Sequence, residues 1–174
     1  MEYTKVLYDE HEVILSAVEI AKDSENLLNK NPEKWKEFCI KLIYFFRHYA
    51  DKYHHHKEEE LLFQKISEEN EVMGMNIIAE MLENHEDFRE YISDIEDSLE
   101  VDVKIAFSEL IDYCENLSDH IAAENEELFI SAETLLSQHD LETMMFQFQD
   151  IDRDLGEERK KELEGSLEEL KNLI

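Results

Sequence analysis

Turn-forming residues are scarce in this chain, which has three glycines and one proline in 174 residues. Sheets need frequent turns, and turns use Gly, Pro, Asn and Asp, so this scarcity favours long helices. Apolar residues recur at three- and four-residue steps almost throughout, which is the period of an amphipathic helix. The sequence therefore predicts an all-α protein. With 43% hydrophobic residues, it can fill the core of a single domain that spans residues 1–174.

Breaks in the apolar pattern divide the chain into four long helices and a C-terminal extension. We call the helices A, B, C and D, and they are predicted at about residues 3–28, 32–66, 75–99 and 103–136. Four such helices with short links predict an antiparallel up-down-up-down four-helix bundle. The extension, about residues 138–174, is expected to add one or two helices that break near Gly156. Its charged end, from Glu157 onwards, is expected on the surface, where it could contact a second subunit and form a homodimer.

The charge of the chain limits the partners that we expect. Lys and Arg total 17 and Asp and Glu total 45, which gives a formal net charge of −28. A surface this acidic repels nucleic acid and anionic lipid. No apolar run approaches the roughly 18 residues that cross a membrane, and the acidic N-terminal segment does not resemble a signal peptide. We therefore expect a cytoplasmic protein. Cys39 and Cys114 fall on different predicted helices and are expected to be reduced core residues.

Histidines occupy the centre of the apolar stripe in several predicted helices. His11, His85 and His120 each have apolar residues three, four or seven positions away, so each is expected to point into the bundle. Counted from the loops at a rise of about 1.5 Å per residue, these histidines and His54 fall in one layer, within about two turns. A lone inward histidine is usually a packing residue. Histidines from all four helices at one level instead indicate a metal site.

Two of these histidines have a glutamate four residues later, His54 with Glu58 and His120 with Glu124. Residues i and i+4 share a helix face, so each imidazole and its carboxylate can reach the same pair of metal ions. Two facing buried carboxylates would be costly without cations. Mixed imidazole and carboxylate ligands favour iron, with manganese or zinc as alternatives. The segments HHHKEEELLF and HIAAENEELF also form an internal repeat, because both fit H-x-x-x-E-x-x-x-L-F.

The register of helix B stays open at this stage. Three pairs share the same spacing: His54 with Glu58, His55 with Glu59, and His56 with Glu60. Extending the upstream stripe through Tyr49 and Tyr53 favours the last pair. The Leu62-Phe63 dipeptide, which matches Leu128-Phe129, favours the first pair, and we prefer it because it comes from an aligned motif. A π-bulge near Asp51 would reconcile both patterns.

The order of these motifs resembles the hemerythrin-like cation-binding domains, called HHE domains, over about residues 5–136. The motifs are DEHEVIL with His11, HHHKEEELLF, MLENHEDFREYI with His85, and HIAAENEELF. The resemblance implies two iron ions with an oxo or hydroxo bridge in a carboxylate-bridged centre. Carried over residue by residue, the terminal ligands would be His11, His54, His85 and His120, and the bridges would be Glu58 and Glu124.

The resemblance also implies the class of function. We expect a protein that binds or senses O2, nitric oxide or peroxide, or that holds iron. The alternative is a di-iron enzyme of peroxide or nitric oxide chemistry, or one that repairs iron–sulfur centres.

One position departs from the oxygen-carrying hemerythrins, which have a fifth histidine one turn after the third-helix histidine. Arg89 occupies that position here, and arginine is a very poor metal ligand. We therefore expect one iron to keep an extra open position, which favours sensing or reactive chemistry over reversible oxygen transport. Arg89 itself is expected either to pair with a carboxylate such as Glu58 or Glu124, or with a bound anion, or to reach the surface.

Overall fold

The computed structural model describes residues 3–174, and the regular secondary structure of this range is entirely helical. The prediction of an all-α protein is therefore confirmed. The segments in chain order are α1 (Lys5–Lys22), α2 (Glu25–Lys30), α3 (Pro32–Phe45), π1 (Phe46–His55), π2 (Glu58–Leu62), α4 (Phe63–Glu69), α5 (Glu71–Met73), π3 (Gly74–Ile78), α6 (Ala79–Leu99), α7 (Val103–Ala123), π4 (Glu124–Leu128), α8 (Phe129–Leu135), α9 (Gln138–Leu155) and α10 (Glu157–Lys171).

Predicted helix A is broken in the structure, because α1 ends at Lys22 and α2 begins at Glu25. The buried hydroxyl of Ser24 donates to the carbonyl oxygen of Ala21 and accepts a 2.9 Å hydrogen bond from the indole N–H of Trp35. This contact ties the break to α3. The start of α3 follows the predicted signal, since the side chain of Asn31 accepts from a backbone N–H and proline occupies the first position.

Helices B and C run in opposite directions along each other. Arg47 of helix B pairs with Glu96, and Asp51, one turn later, pairs with Arg89, which lies before Glu96 in helix C. Helix C then turns into helix D within residues 100–102, and α6 and α7 pack as a helical hairpin. Within the described residues, no helix has the length and apolar character needed to cross a bilayer.

The buried side chains form two apolar clusters with a polar layer between them. One cluster holds Ile14, Tyr53, Phe88, Leu117 and many others. The second holds Leu7, Leu62, Met81, Leu128 and their neighbours. Along each predicted helix A to D, the histidines singled out above lie in the chain between residues of the first cluster and residues of the second. The layer is therefore closed by apolar side chains on both sides.

The C-terminal extension consists of two helices that meet at Gly156, where a break was predicted. Gly156 has a φ of 86°, a backbone conformation that glycine adopts without steric cost. The expectation that residues 157–174 lie on the surface was wrong for one face of α10. Leu163, Leu167 and Leu170 are buried and belong to the first apolar cluster. Their i, i+4, i+7 spacing is a helical apolar stripe, which the surrounding charges conceal in the sequence.

Candidate metal centre

Within residues 3–174, seven buried histidines and glutamates form two candidate ligand groups in the layer between the apolar clusters. Within each group, the candidate ligand atoms lie within 4.8 Å of one another. The first group consists of His55, His85 and His120, and the second of His11, His54, Glu58 and Glu124. Each of these side chains is at most 3% exposed. The structure therefore brings together all six residues of the predicted ligand set and adds His55.

The two glutamates stand between the groups. One oxygen of Glu58 is 3.3 Å from Nε2 of His54, and the other is 3.7 Å from Nε2 of His85. Oε2 of Glu124 lies 3.3 Å from Nε2 of His120 and 3.3 Å from Nε2 of His11. Each carboxylate thus reaches one histidine of each group, which is the placement that a bridging ligand needs.

Several buried polar atoms of this layer have no hydrogen-bond partner in the described part of the chain, and this shows whether the residues fit a metal. Both oxygens of Glu58, both oxygens of Glu124, and Nε2 of His11 and His54 are buried and have no hydrogen-bond partner among residues 3–174. A buried carboxylate without a donor costs several kcal/mol. Nε2 of His85 and Nε2 of His120 are 3.1 Å apart, which is about the separation of two neighbouring imidazole ligands on one ion. The residues present fit a pair of metal ions.

The other ring nitrogen of four histidines is held by a partner outside the two groups. Nδ1 of His54 is 2.9 Å from Glu10, Nδ1 of His85 is 2.8 Å from Glu59, and Nδ1 of His11 is 2.8 Å from the side-chain oxygen of Asn125. Nδ1 of His120 faces the side-chain amide of Asn84 at 3.3 Å. Such contacts fix the ring orientation of metal-binding histidines and leave Nε2 for the metal.

The protonation of this layer is shaped by burial and by the carboxylates. Burial alone would lower the pKa of His54, but the neighbouring Glu58 and Glu10 raise it to about 10. Burial and the nearby His85 lower the pKa of His55 to about 3. Burial would raise the pKa of Glu10, but the hydrogen bond from His54 and the charge of Lys57 lower it to about 2. Without metal, His54 therefore carries a proton at neutral pH, and His55 is neutral.

A small pocket with a volume of about 40 Å³ opens beside His55 and His85. Its apolar wall consists of Phe46, Phe88, Ile92 and Tyr113, and its polar wall consists of Arg47, Asp51 and Arg89. A space of this size beside the first group can admit a small molecule.

Comparison with known families agrees with this geometry. A family model described as the hemerythrin HHE cation binding domain matches residues 3–130. The chain belongs to this family. The comparisons with curated proteins and with solved structures gave no match. The hemerythrin HHE match ends before α9, so the two C-terminal helices lie outside it.

The structure resolves the register of helix B in this hemerythrin HHE chain. His54 and Glu58 are fully buried in the layer, whereas the alternates His56 and Glu60 are exposed and do not reach it. His55 was expected as an alternate to His54, and the structure places both rings in the layer. Both residues lie at the end of π1, which spans residues 46–55 and includes Asp51, near which a π-bulge would reconcile the two patterns.

The remaining alternate ligand, Glu59, lies beside the two groups and pairs with Arg89, the residue that stands where oxygen carriers have a fifth histidine. Arg89 pairs with Asp51 at 2.7 Å, with Glu59 at 2.6 Å and with Glu86 at 2.7 Å. It therefore pairs with carboxylates, but not with Glu58 or Glu124. Through Glu59, the arginine supports His85. The expectation of an extra open position rested on four histidines, and a fifth, His55, now lies in the layer.

Proposed function

We propose that this chain binds two iron ions in a carboxylate-bridged centre, inside a single domain built as an up-down-up-down four-helix bundle. The observation that carries the proposal is the pair of fully buried glutamates, Glu58 and Glu124, whose four oxygens lack hydrogen-bond donors among residues 3–174. Two carboxylates in that setting are stable only beside cations. Membership of the hemerythrin HHE family supports cation binding at this place.

In this proposal, the two groups define two ion positions. His55, His85 and His120 would hold one ion, His11 and His54 would hold the other, and Glu58 and Glu124 would bridge them. Bound iron would supply redox chemistry and affinity for small diatomic ligands. The chain itself orients each imidazole through a partner at Nδ1 and surrounds the layer with apolar clusters that exclude water.

We further propose that the centre binds O2, nitric oxide or peroxide. The pocket beside His55 and His85 supports a small ligand, because its apolar wall suits a diatomic molecule. Five histidines and two carboxylates are also the ligand number that the family resemblance implies for oxygen carriers. Reversible binding, for transport or for sensing, is therefore favoured over the reactive chemistry that a four-histidine site would imply.

Iron content and oxygen response test the proposal. Protein purified from iron-supplied cells should contain about two iron atoms per chain and absorb in the near-ultraviolet as a ferric centre does. The His120→Ala variant should lose much of that iron, because it removes one ligand of the first group. A full iron content in this variant would contradict the ligand set. Reduced protein should change its spectrum with O2 and recover when O2 is removed. Irreversible oxidation would instead favour the enzymatic alternative.

A further inference from the structure

A buried lysine stands behind the proposed metal centre. Lys57 is 0% exposed, and its ammonium group donates to Oε1 of Glu10 at 2.5 Å, to the hydroxyl of Tyr53 at 2.9 Å and to Oδ1 of Asp152 at 2.6 Å. These contacts use all three N–H donors of the ammonium group. A lysine is almost never buried unless its charge is paired, so Glu10 and Asp152 are what keep Lys57 in this position.

Two members of this network come from the C-terminal helices. Asp152 belongs to α9 and is 33% exposed, whereas Lys160 belongs to α10 and donates to the hydroxyl of Tyr53 at 2.8 Å. Both lie beyond residue 130, where the family match ends. Some of the hydrogen-bond partners of Lys57 and Tyr53 therefore come from an extension that lies outside the matched domain.

Glu10 connects this network to the metal layer. Its Oε1 faces Lys57, and its Oε2 is 2.9 Å from Nδ1 of His54. The same carboxylate is thus shared between a cation and a histidine of the layer. With Asp152 present, the charge of Lys57 is divided between two carboxylates. Without it, Glu10 would be the only carboxylate of residues 3–174 in contact with Lys57 and would be drawn away from His54.

We infer that α9 and α10 are part of the metal centre, with Asp152 as a positioning residue that holds Lys57 and Glu10 so that His54 keeps its ring orientation. The inference rests on the proposed di-iron function. It assigns a role to a segment outside the family match, and it predicts that the docking of the extension controls how firmly iron is held at His54.

The test compares full-length, iron-loaded variants. Asp152→Asn keeps the side-chain size and removes the charge, and Asp152→Glu restores the charge. Asp154→Asn is the matched control, because Asp154 is exposed on the same helix and loses the same charge. We measure the rate of iron loss to a chelator, the absorption spectrum per iron, and the melting temperature without metal. Asp152→Asn should release iron about tenfold faster and shift the spectrum, since loss of outer partners weakens metal binding by about 10–100-fold. Asp152→Glu should recover most of both, and Asp154→Asn should match wild type.

Several results would overturn the inference. If Asp152→Asn released iron at the wild-type rate with an unchanged spectrum, Asp152 would not position His54. A lower melting temperature in that case would show only a structural role. An equal effect in Asp154→Asn would show that the faster iron release comes from the lost net charge and not from the position of Asp152. If Asp152→Asn does not fold, Lys160→Gln tests the same network from α10 and should also speed iron release, whereas a wild-type rate would refute the inference. Absence of iron from the wild-type protein would refute the proposed function itself.

Discussion

Replacing Glu124 by glutamine should separate the stability of the metal-free protein from that of the iron-loaded protein. The change keeps the shape of a side chain that is 0% exposed and removes the charge that lies 3.3 Å from both His11 and His120. Opposite unit charges about 4 Å apart attract by about 4 kcal/mol at the effective dielectric constant of a protein. We therefore expect Glu124→Gln to weaken the affinity for each ion about a hundredfold, a loss of about 2.7 kcal/mol of binding free energy.

Linkage converts this affinity into a melting temperature. At free iron about 100 times the dissociation constant, each ion stabilises the native state by about 2.7 kcal/mol, and after a hundredfold weakening by about 0.4 kcal/mol. For two ions the difference is about 5 kcal/mol, which for a chain of this size is roughly 10–20 °C. The metal-free melting temperature should change much less, since Glu124 helps to raise the pKa of His120, which can release its proton when the carboxylate charge disappears.

The assay is thermal unfolding with and without iron, for wild type, Glu124→Gln and the control Glu126→Gln. Glu126 is exposed on the same π4 segment, so its variant loses the same charge without entering the layer. The iron-dependent rise in melting temperature should shrink in Glu124→Gln alone. If Glu124→Gln kept the full rise, the reasoning that this carboxylate bridges two ions would be refuted.

Three further predictions concern the histidines and Arg89. His55→Ala should lower the iron content toward one atom per chain, whereas the exposed His56→Ala should keep it at about two, and the reverse order would reject the register set by π1. In metal-free protein, the raised pKa of His54, about 10, adds stability that is complete below pH 6.5 and is lost as the pH rises toward 10. Urea unfolding across this range should show the decline, and iron binding at neutral pH should release a proton from His54. Arg89→Gln removes the partner of Glu59 and should speed iron release to a chelator about tenfold. An unchanged rate would show that Arg89 does not help Glu59 to orient His85.

Most of the fold could be predicted because its signals are local. The Asn31-Pro32 start and the Gly156 break each depend on residues that are adjacent in the chain, and both appear in the structure. The break at Ser24 was missed because it depends on Trp35, eleven residues away, whose indole N–H reaches the serine hydroxyl only after α3 has packed. The buried face of α10 was missed because its three leucines are diluted among charged residues.

The inward histidines could be found because an apolar stripe with period 3.6 determines which side of a helix is buried. His55 could not be predicted as a second inward residue. In a regular α-helix adjacent residues point about 100° apart, so the apolar pattern places His54 or His55 toward the core, but not both. The π-helical segment π1 removes that restriction. Glu10, Lys57 and Asp152 gave no signal at all. Each resembles a solvated surface charge in the sequence, and their pairings with Lys57 join residues that are 47 and 95 positions apart in the chain.

The charges around the pocket indicate which small ligands it favours. Its two arginines are already paired, Arg47 with Glu96 and Arg89 with several carboxylates. Their charges are therefore offset by these carboxylates, and the chain as a whole carries a formal charge of −28, which repels an incoming anion. The apolar wall adds a preference for molecules without charge. We therefore expect the neutral ligands proposed for this centre, O2, nitric oxide and hydrogen peroxide, to enter this pocket more readily than anions of similar size. That selection comes from the protein around the layer, whichever ions the layer binds.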